Sequence, residues 1–354
     1  MNPSVSSANS NAGETRTLPV IFSGKKGEYL KLWLVNMLLS ILTLGIYSAW
    51  AKVRNTQYLY GHTQVEGHRL QYLATPLQIL RGRIIAVILF GLYVIVSSLH
   101  PVANLVLMLL LLIALPWLLI QGLRFTLRMT AYRNVRFSFD ANYGGVLLHF
   151  ILLPVLGALT FGLAMPWVIQ RLQKYIHDSI SFGGHNFSLN SSAGYYYKAV
   201  LVCIGLSVLY FIALALLGGG VFAALAAENP AALGGLVIIA ISYFMFGYVI
   251  GAVYQSMIRN HVMNNLSIDG VVSFNSSVEV KPYIWLMLSN SLLLIFTLGL
   301  AYPVTQIRKN KFLADATLVN LQPAADHLVN TVDDKYSAFG EEAAGLFDAD
   351  LSLT

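Results

Sequence analysis

Cysteine and charge are both scarce in this chain. The single cysteine among 354 residues, Cys203, lies inside an apolar run, so there is no disulfide framework and no thiolate metal cluster to build on. Charged residues make up 11%, where a soluble domain carries about 25%. That deficit excludes an ordinary soluble enzyme and an intrinsically disordered chain. The apolar runs also lack ionisable residues at their centres, which argues against a proton relay or an ion-coupled carrier. A Gly-x-Ser-x-Gly elbow and a phosphate loop are absent too: Gly218-Gly219-Gly220 and Gly183-Gly184 precede no Gly-Lys-Ser/Thr. With no acid, base or nucleophile constellation, the chain is expected to have no catalytic residues, no cofactor and no enzyme activity. His62, His68, His177 and His185 show no ligand spacing, so no metal is expected.

What is abundant is apolar sequence: hydrophobic types reach 56% and the mean hydropathy is +0.65. Seven apolar segments fall at about 29–50, 83–99, 102–123, 145–168, 199–220, 232–254 and 282–304, each near the ~20 residues that a spanning helix needs. The expected fold is all-α, a polytopic membrane protein. Residues 1–20 form a polar tail, expected to be disordered and without the pattern of a cleaved signal peptide. Residues 21–320 form the membrane domain. Residues 321–354 form an acidic tail, in which Asp326, Asp333, Asp334, Glu341, Glu342, Asp348 and Asp350 face one base, Lys335. That tail is a candidate contact for a protein partner, with Phe339, Leu346, Phe347 and Leu351 spaced among the acids.

Lys and Arg locate the cytoplasmic face. Two connections carry none, Ser98–Pro101 and 221–231, whereas the others hold Arg54, Arg81, Arg124, Arg171, Lys198, Arg259, Lys281 or Arg308. Segments one, four and seven therefore have basic flanks on both sides. The arrangement that satisfies this pattern has two transmembrane helical hairpins, segments two with three and five with six. The other three segments re-enter from, or lie along, the cytoplasmic side, and both termini are cytoplasmic. The basic body suits an anionic lipid surface; a nucleic acid is not expected as a partner.

The three doubly basic segments also repeat one another, over about 22–73, 137–189 and 274–320. Thr43-Leu44-Gly45, Thr160-Phe161-Gly162 and Thr297-Leu298-Gly299 align without gaps, each followed by an arginine, Arg54, Arg171 and Arg308, and then an aromatic, Tyr58, Tyr175 and Phe312. Asn36 matches Asn290, and Gly67-His68 matches Gly184-His185. Glycine there permits a helix break or close approach, and Pro166 and Pro303 remove a donor just after it. Two functions fit. One is a transport or pore-like protein without ion coupling, in which Asn36, Thr43 and Asn290 supply polar groups and the three turns converge. The other is a lipid-binding scaffold whose Arg54, Arg171 and Arg308 grip headgroups. Gly247 and Gly251 form a small-xxx-small pair that suits helix packing.

The opening motif, Phe22-Ser-Gly-Lys-Lys-Gly27-Glu-Tyr29, then Asn36, Leu42-Thr-Leu-Gly-Ile-Tyr47, Trp50-Ala-Lys-Val-Arg54 and Tyr58, resembles the opening of the YjgN family of bacterial inner-membrane proteins, a family of unknown function. The resemblance covers roughly residues 20 to 320. It implies a multi-pass inner-membrane protein and supplies no catalytic residues.

Overall fold

Pairs of helices alternate with pairs of short strands. The computed structural model describes residues 15–99 and 101–328. Strands β1 (Arg16–Pro19) and β2 (Ile21–Phe22) lead into α1 (Lys26–Leu42) and α2 (Ser48–Gly61). Strands β3 (Thr63–Val65) and β4 (His68–Tyr72) lead into α3 (Pro76–Leu99) and α4 (Pro101–Arg128). After β5 (Thr130–Tyr132) and β6 (Val135–Phe139) come α5 (Tyr143–Val146), a π-helical stretch Leu147–Leu152, α6 (Leu153–Leu159) and α7 (Met165–Asp178). Next follow β7 (Ile180–Phe182), β8 (His185–Asn186) and β9 (Ser188–Leu189), then α8 (Ala193–Ala226) and α9 (Ala231–Asn264). The last group is β10 (Leu266–Ile268), β11 (Val272–Ser276), α10 (Val280–Phe296), α11 (Tyr302–Asp315) and β12 (Thr317–Leu321), with a short 3-10 turn Pro323–His327 behind it.

The strands correct the all-α expectation, although the chain is mostly helical. Each is antiparallel to the next, from β2 through β8 and from β9 through β12, and β12 pairs back to β1 with Arg16 opposite Leu321. Only Val20 separates β1 from β2, and only Phe187 separates β8 from β9; both stay in the ladder, Val20 N–H donating to Thr317 at 3.1 Å and Phe187 N–H to Ile180 at 2.9 Å. The two sheets are therefore continuous through β1–β2 and β8–β9, and among the described residues the order of pairing closes into a ring. Residues 16–20, assigned to the polar tail on composition, belong to it, as does Leu321, assigned to the acidic tail; residues 1–14 and 329–354 lie outside the described residues.

Tight turns close the strand pairs. Glu66-Gly67, Arg133-Asn134 and Gly183-Gly184 all have positive φ at both positions, the conformation of two-residue turns that match strand twist. This explains the matched Gly-His pairs: Gly67 and Gly184 turn the chain, and His68 and His185 begin the returning strands. One continuous apolar cluster joins strand residues such as Phe139, Phe182, Leu189, Ile268 and Val319 to Leu123, Ala199 and Ile258 on α4, α8 and α9. Phe137 lies 4.6 Å from Phe182 and 6.4 Å from Phe187, which lies 6.3 Å from Phe274.

Helix ends are tied to the ring. Asn260 on α9 accepts from Val278 N–H (2.9 Å) and Ser276 Oγ (2.8 Å) and donates to the Val278 carbonyl (2.9 Å). Asn264 accepts from Ser276 N–H at 2.6 Å. Arg124 Nε on α4 donates to Phe139 at 3.3 Å. Away from the ring, Pro76–Ser98, Val102–Arg128, Ala193–Val221 and Ala232–Asn264 are long and apolar enough to cross a membrane, and little of their surface is covered by protein. The segments 29–50, 145–168 and 282–304 each break at the Thr-x-Gly motif into two shorter helices that pack on one another.

Candidate functional site

The three Thr-x-Gly turns share one backbone solution. Leu44 N–H donates to Ile41 and Gly45 N–H to Ser40; Phe161 and Gly162 donate to Ala158 and Gly157, and Leu298 and Gly299 to Ile295 and Leu294. This is the paired pattern of a Schellman helix end. The next N–H in each turn, Ile46, Leu163 or Leu300, donates to the threonine carbonyl. The one after it donates to the threonine hydroxyl: Tyr47 at 2.9 Å, Ala164 at 3.0 Å and Ala301 at 3.1 Å. The hydroxyls in turn donate to Leu39, Gly157 and Leu293. With Ser48, Met165 and Tyr302 bonded to the glycine carbonyls, every N–H from the threonine to the start of the returning helix has an acceptor. Threonine recurs because its hydroxyl fills the place a water would take.

Gly45, Gly162 and Gly299 have φ of +92°, +83° and +86° with open space where a Cβ would stand. They serve conformation, not close approach. The residue before each is less expected. Leu44, Phe161 and Leu298 have φ of 51°, 50° and 49°, a region that costs a bulky L-residue about 1–2 kcal/mol. They are 95%, 99% and 92% exposed.

Each of the three arginines is engaged within its own hairpin. Arg54 donates to the Tyr47 hydroxyl at 2.8 Å, and the Tyr47 ring stacks on Trp50. The Arg171 guanidinium lies 5.7 Å from the Trp167 ring centre. Arg308 donates to Ser289 Oγ at 2.7 Å. Arg83, a charge near the start of α3 that sequence reasoning passed over, donates to the Ser48 hydroxyl at the first turn; its signal was a charge lying inside the first turns of a spanning helix.

Thr43 sits at a turn, its hydroxyl committed to the backbone. Asn36 is 1% exposed and donates to Asn55 at 2.9 Å. Asn290 is 7% exposed. The Oδ1 atoms of both, and Ser291 Oγ, have no hydrogen-bond partner among the described residues. Helices α1 and α11 pack together, Trp33 lying 6.2 Å from Tyr302, so the first and third hairpins are neighbours. In the second, His149 stacks on Tyr175 with ring centres 4.3 Å apart and bonds the Gly145 carbonyl. His62 and His177 likewise bond the carbonyls of Tyr58 and Gln173, four residues earlier.

At the tight-turn side of the ring, Arg16 bridges Glu66 (2.7 Å) and Asp326 (2.6 Å), and Arg133 reaches Asp326 at 3.0 Å. Leu328 packs over Gly183, its nearest side-chain atom 3.0 Å from where a Cβ would stand. Hydrogen bonds from Arg16 and then Arg133 hold the Asp326 carboxyl below its ordinary range, while burial pushes the Tyr132 hydroxyl up.

The family described as "Bacterial protein of unknown function (DUF898)" matches residues 17–346. The chain is 27% identical to the inner membrane protein YjgN of Escherichia coli O157:H7, over 86% of this chain and 92% of that one. Identity is 26% to YjgN of Escherichia coli strain K12, with the same coverage. With YjgN of Salmonella typhimurium strain LT2 it is 25%, over 89% and 91%. No solved structure matches.

Proposed function

We propose that this chain, which belongs to the DUF898 family and is a multi-pass inner-membrane protein of the YjgN family, is a non-enzymatic scaffold that binds anionic phospholipid. The observation that carries this reading is the placement of Arg54, Arg171 and Arg308. Each stands at the same distance past its turn and rests on a tyrosine hydroxyl, a tryptophan ring or a serine hydroxyl, neutral partners of the kind found where helices meet headgroups.

In the accompanying topology, α3 with α4 and α8 with α9 cross the bilayer. The three shorter hairpins re-enter from the ring side, and the strand ring and both termini are cytoplasmic. Supporting this, every helical hairpin starts from and returns to the ring, and bases such as Arg81, Arg128, Lys174 and Lys281 fall in the helix turns nearest its strands. The acidic C-terminal segment is the proposed contact for a protein partner.

The test is lipid retention. Protein purified in mild detergent with Arg54→Gln, Arg171→Gln and Arg308→Gln together should lose several-fold of its co-purifying anionic lipid by mass spectrometry, while the three Lys replacements keep most of it. Equal retention in the Gln protein rejects the reading. A pore-like function is the second reading, favoured by the unpartnered acceptors of Asn36 and Asn290; the Asn36→Ala, Thr43→Ala and Asn290→Ala protein would then show altered solute flux in proteoliposomes.

A further inference from the structure

We infer that Leu44, Phe161 and Leu298 are wedges inserted among the acyl chains of the ring-side leaflet, and of that leaflet alone. The proposal rests on the re-entrant placement above and adds the occupant of the turns, which headgroup binding by the arginines leaves open.

First, each turn satisfies every N–H internally, with a threonine hydroxyl in the role a solvent molecule would fill. Backbone is closed in this way where water is absent. Second, a water-facing turn would place Gly or Asn at the first left-handed position; here Leu, Phe and Leu stand there and face outward almost completely. Third, the neighbouring Leu42, Leu159 and Phe296 are also exposed, at 77%, 73% and 82%, so each tip is an apolar cap.

Depth follows from two contacts. Ser48 at the first turn meets Arg83 near the start of α3, and the Leu163 carbonyl at the second accepts from the Tyr197 hydroxyl at 3.0 Å, near the start of α8. From Arg83, α3 runs on for roughly 24 Å at 1.5 Å per residue. The first two tips therefore stop well short of the opposite leaflet, and the third hairpin packs against the first through α1 and α11. Their occupant is hydrocarbon: the exposed surface is continuous in chemistry with the bare faces of α3 and α8 beside it, and no Asp, Glu, Lys or Arg falls between Lys31 and Lys52, between Asp140 and Arg171 or between Lys281 and Arg308.

The experiment uses the full chain with Cys203→Ser and a single cysteine at Leu44, Phe161 or Leu298, labelled with bimane and reconstituted in phosphatidylethanolamine and phosphatidylglycerol vesicles. A second set at Leu42, Leu159 and Phe296 leaves the left-handed residue intact. Nitroxide at acyl position 5 should quench these labels at least twofold more than nitroxide at position 14. Aqueous iodide should quench them several-fold less than a label at Asn134. Iodide quenching equal to that at Asn134 overturns the proposal by placing the tips in water. Protection from both nitroxides and iodide also overturns it, by placing them under protein. If the nitroxide result holds while lipid retention ignores the arginines, the wedges stand and the headgroup reading falls.

Discussion

The Thr43 hydroxyl accepts from the Tyr47 N–H at 2.9 Å and donates to the Leu39 carbonyl at 2.8 Å. One side chain thereby joins the end of α1 to the start of α2. Replacing it with the near-isosteric valine leaves a donor without an acceptor. Thr43→Val should cost about 1–3 kcal/mol, read as a lower unfolding midpoint in detergent, and Thr43→Ser much less. Thr160 and Thr297 should behave alike, and equal stability of the valine and wild-type proteins would refute the role.

Adjacent residues in the same turn should respond with opposite sign. Gly45→Ala introduces a Cβ into open space but at φ +92°, so the loss is conformational, about 1–2 kcal/mol. Leu44→Gly relieves the left-handed strain without adding a polar group and should raise the midpoint in detergent. Loss of stability in both variants would show that the Leu44 side chain packs on protein.

Asn260 on α9 makes three hydrogen bonds to the end of β11 and the residues that follow it, one with Ser276 and two with Val278. Asn260→Ala strands the Val278 backbone groups and should cost about 2–3 kcal/mol. Hydrogen exchange should rise first in Val272–Ser276 and at Val278; a uniform rise along the chain would disprove a local role.

How much of this was legible varied with length scale. The four long helices and the breaks at Thr-x-Gly follow from hydropathy and from the glycine and proline positions, because a helix carries its periodicity locally. The ring does not. Its strands run from two to five residues, too short for alternation to rise above the basic loops that contain them, and its closing pair joins Arg16 to Leu321. The available signal was the turns, since Glu66-Gly67 and Gly183-Gly184 separate short alternating runs such as Ile180-Ser181-Phe182. The candidate site was half legible. The Thr-x-Gly spacing marks the turns, but the threonine hydroxyl's bonds to the backbone at both sides of each turn are not visible in spacing alone.

Asp326 gives the ring a pH dependence. Its carboxyl is depressed in the folded chain, first by the Arg16 hydrogen bond and then by Arg133. Its contribution is therefore fully present above the unfolded value of about 3.9 and is lost as pH falls through the folded value. Hydrogen exchange at Pro323–Leu328, corrected for intrinsic rates, should stay slow from neutrality to about pH 4 and then accelerate. In Asp326→Asn it should be fast throughout. The exposed ion pairs should also weaken in high salt. Identical profiles in the two proteins would contradict the assignment.

Topology is tested by position. In a Cys203→Ser background, a cysteine at Glu228 should react with an impermeant maleimide in intact cells, and cysteines at Asn134 and Asp269 only after permeabilisation. Labelling of Asp269 from outside would mean an odd number of crossings before it.

The pairing of β1 with β12 also bears on synthesis. Arg16 is synthesised while its partner Leu321 is still unmade, so the first strand must wait, one edge open, until residues 317–321 have been translated. Ring closure is thus a late step, and a nascent chain stalled before residue 317 has every membrane helix but α11's final strand partner, with β1 exposed as an unpaired edge.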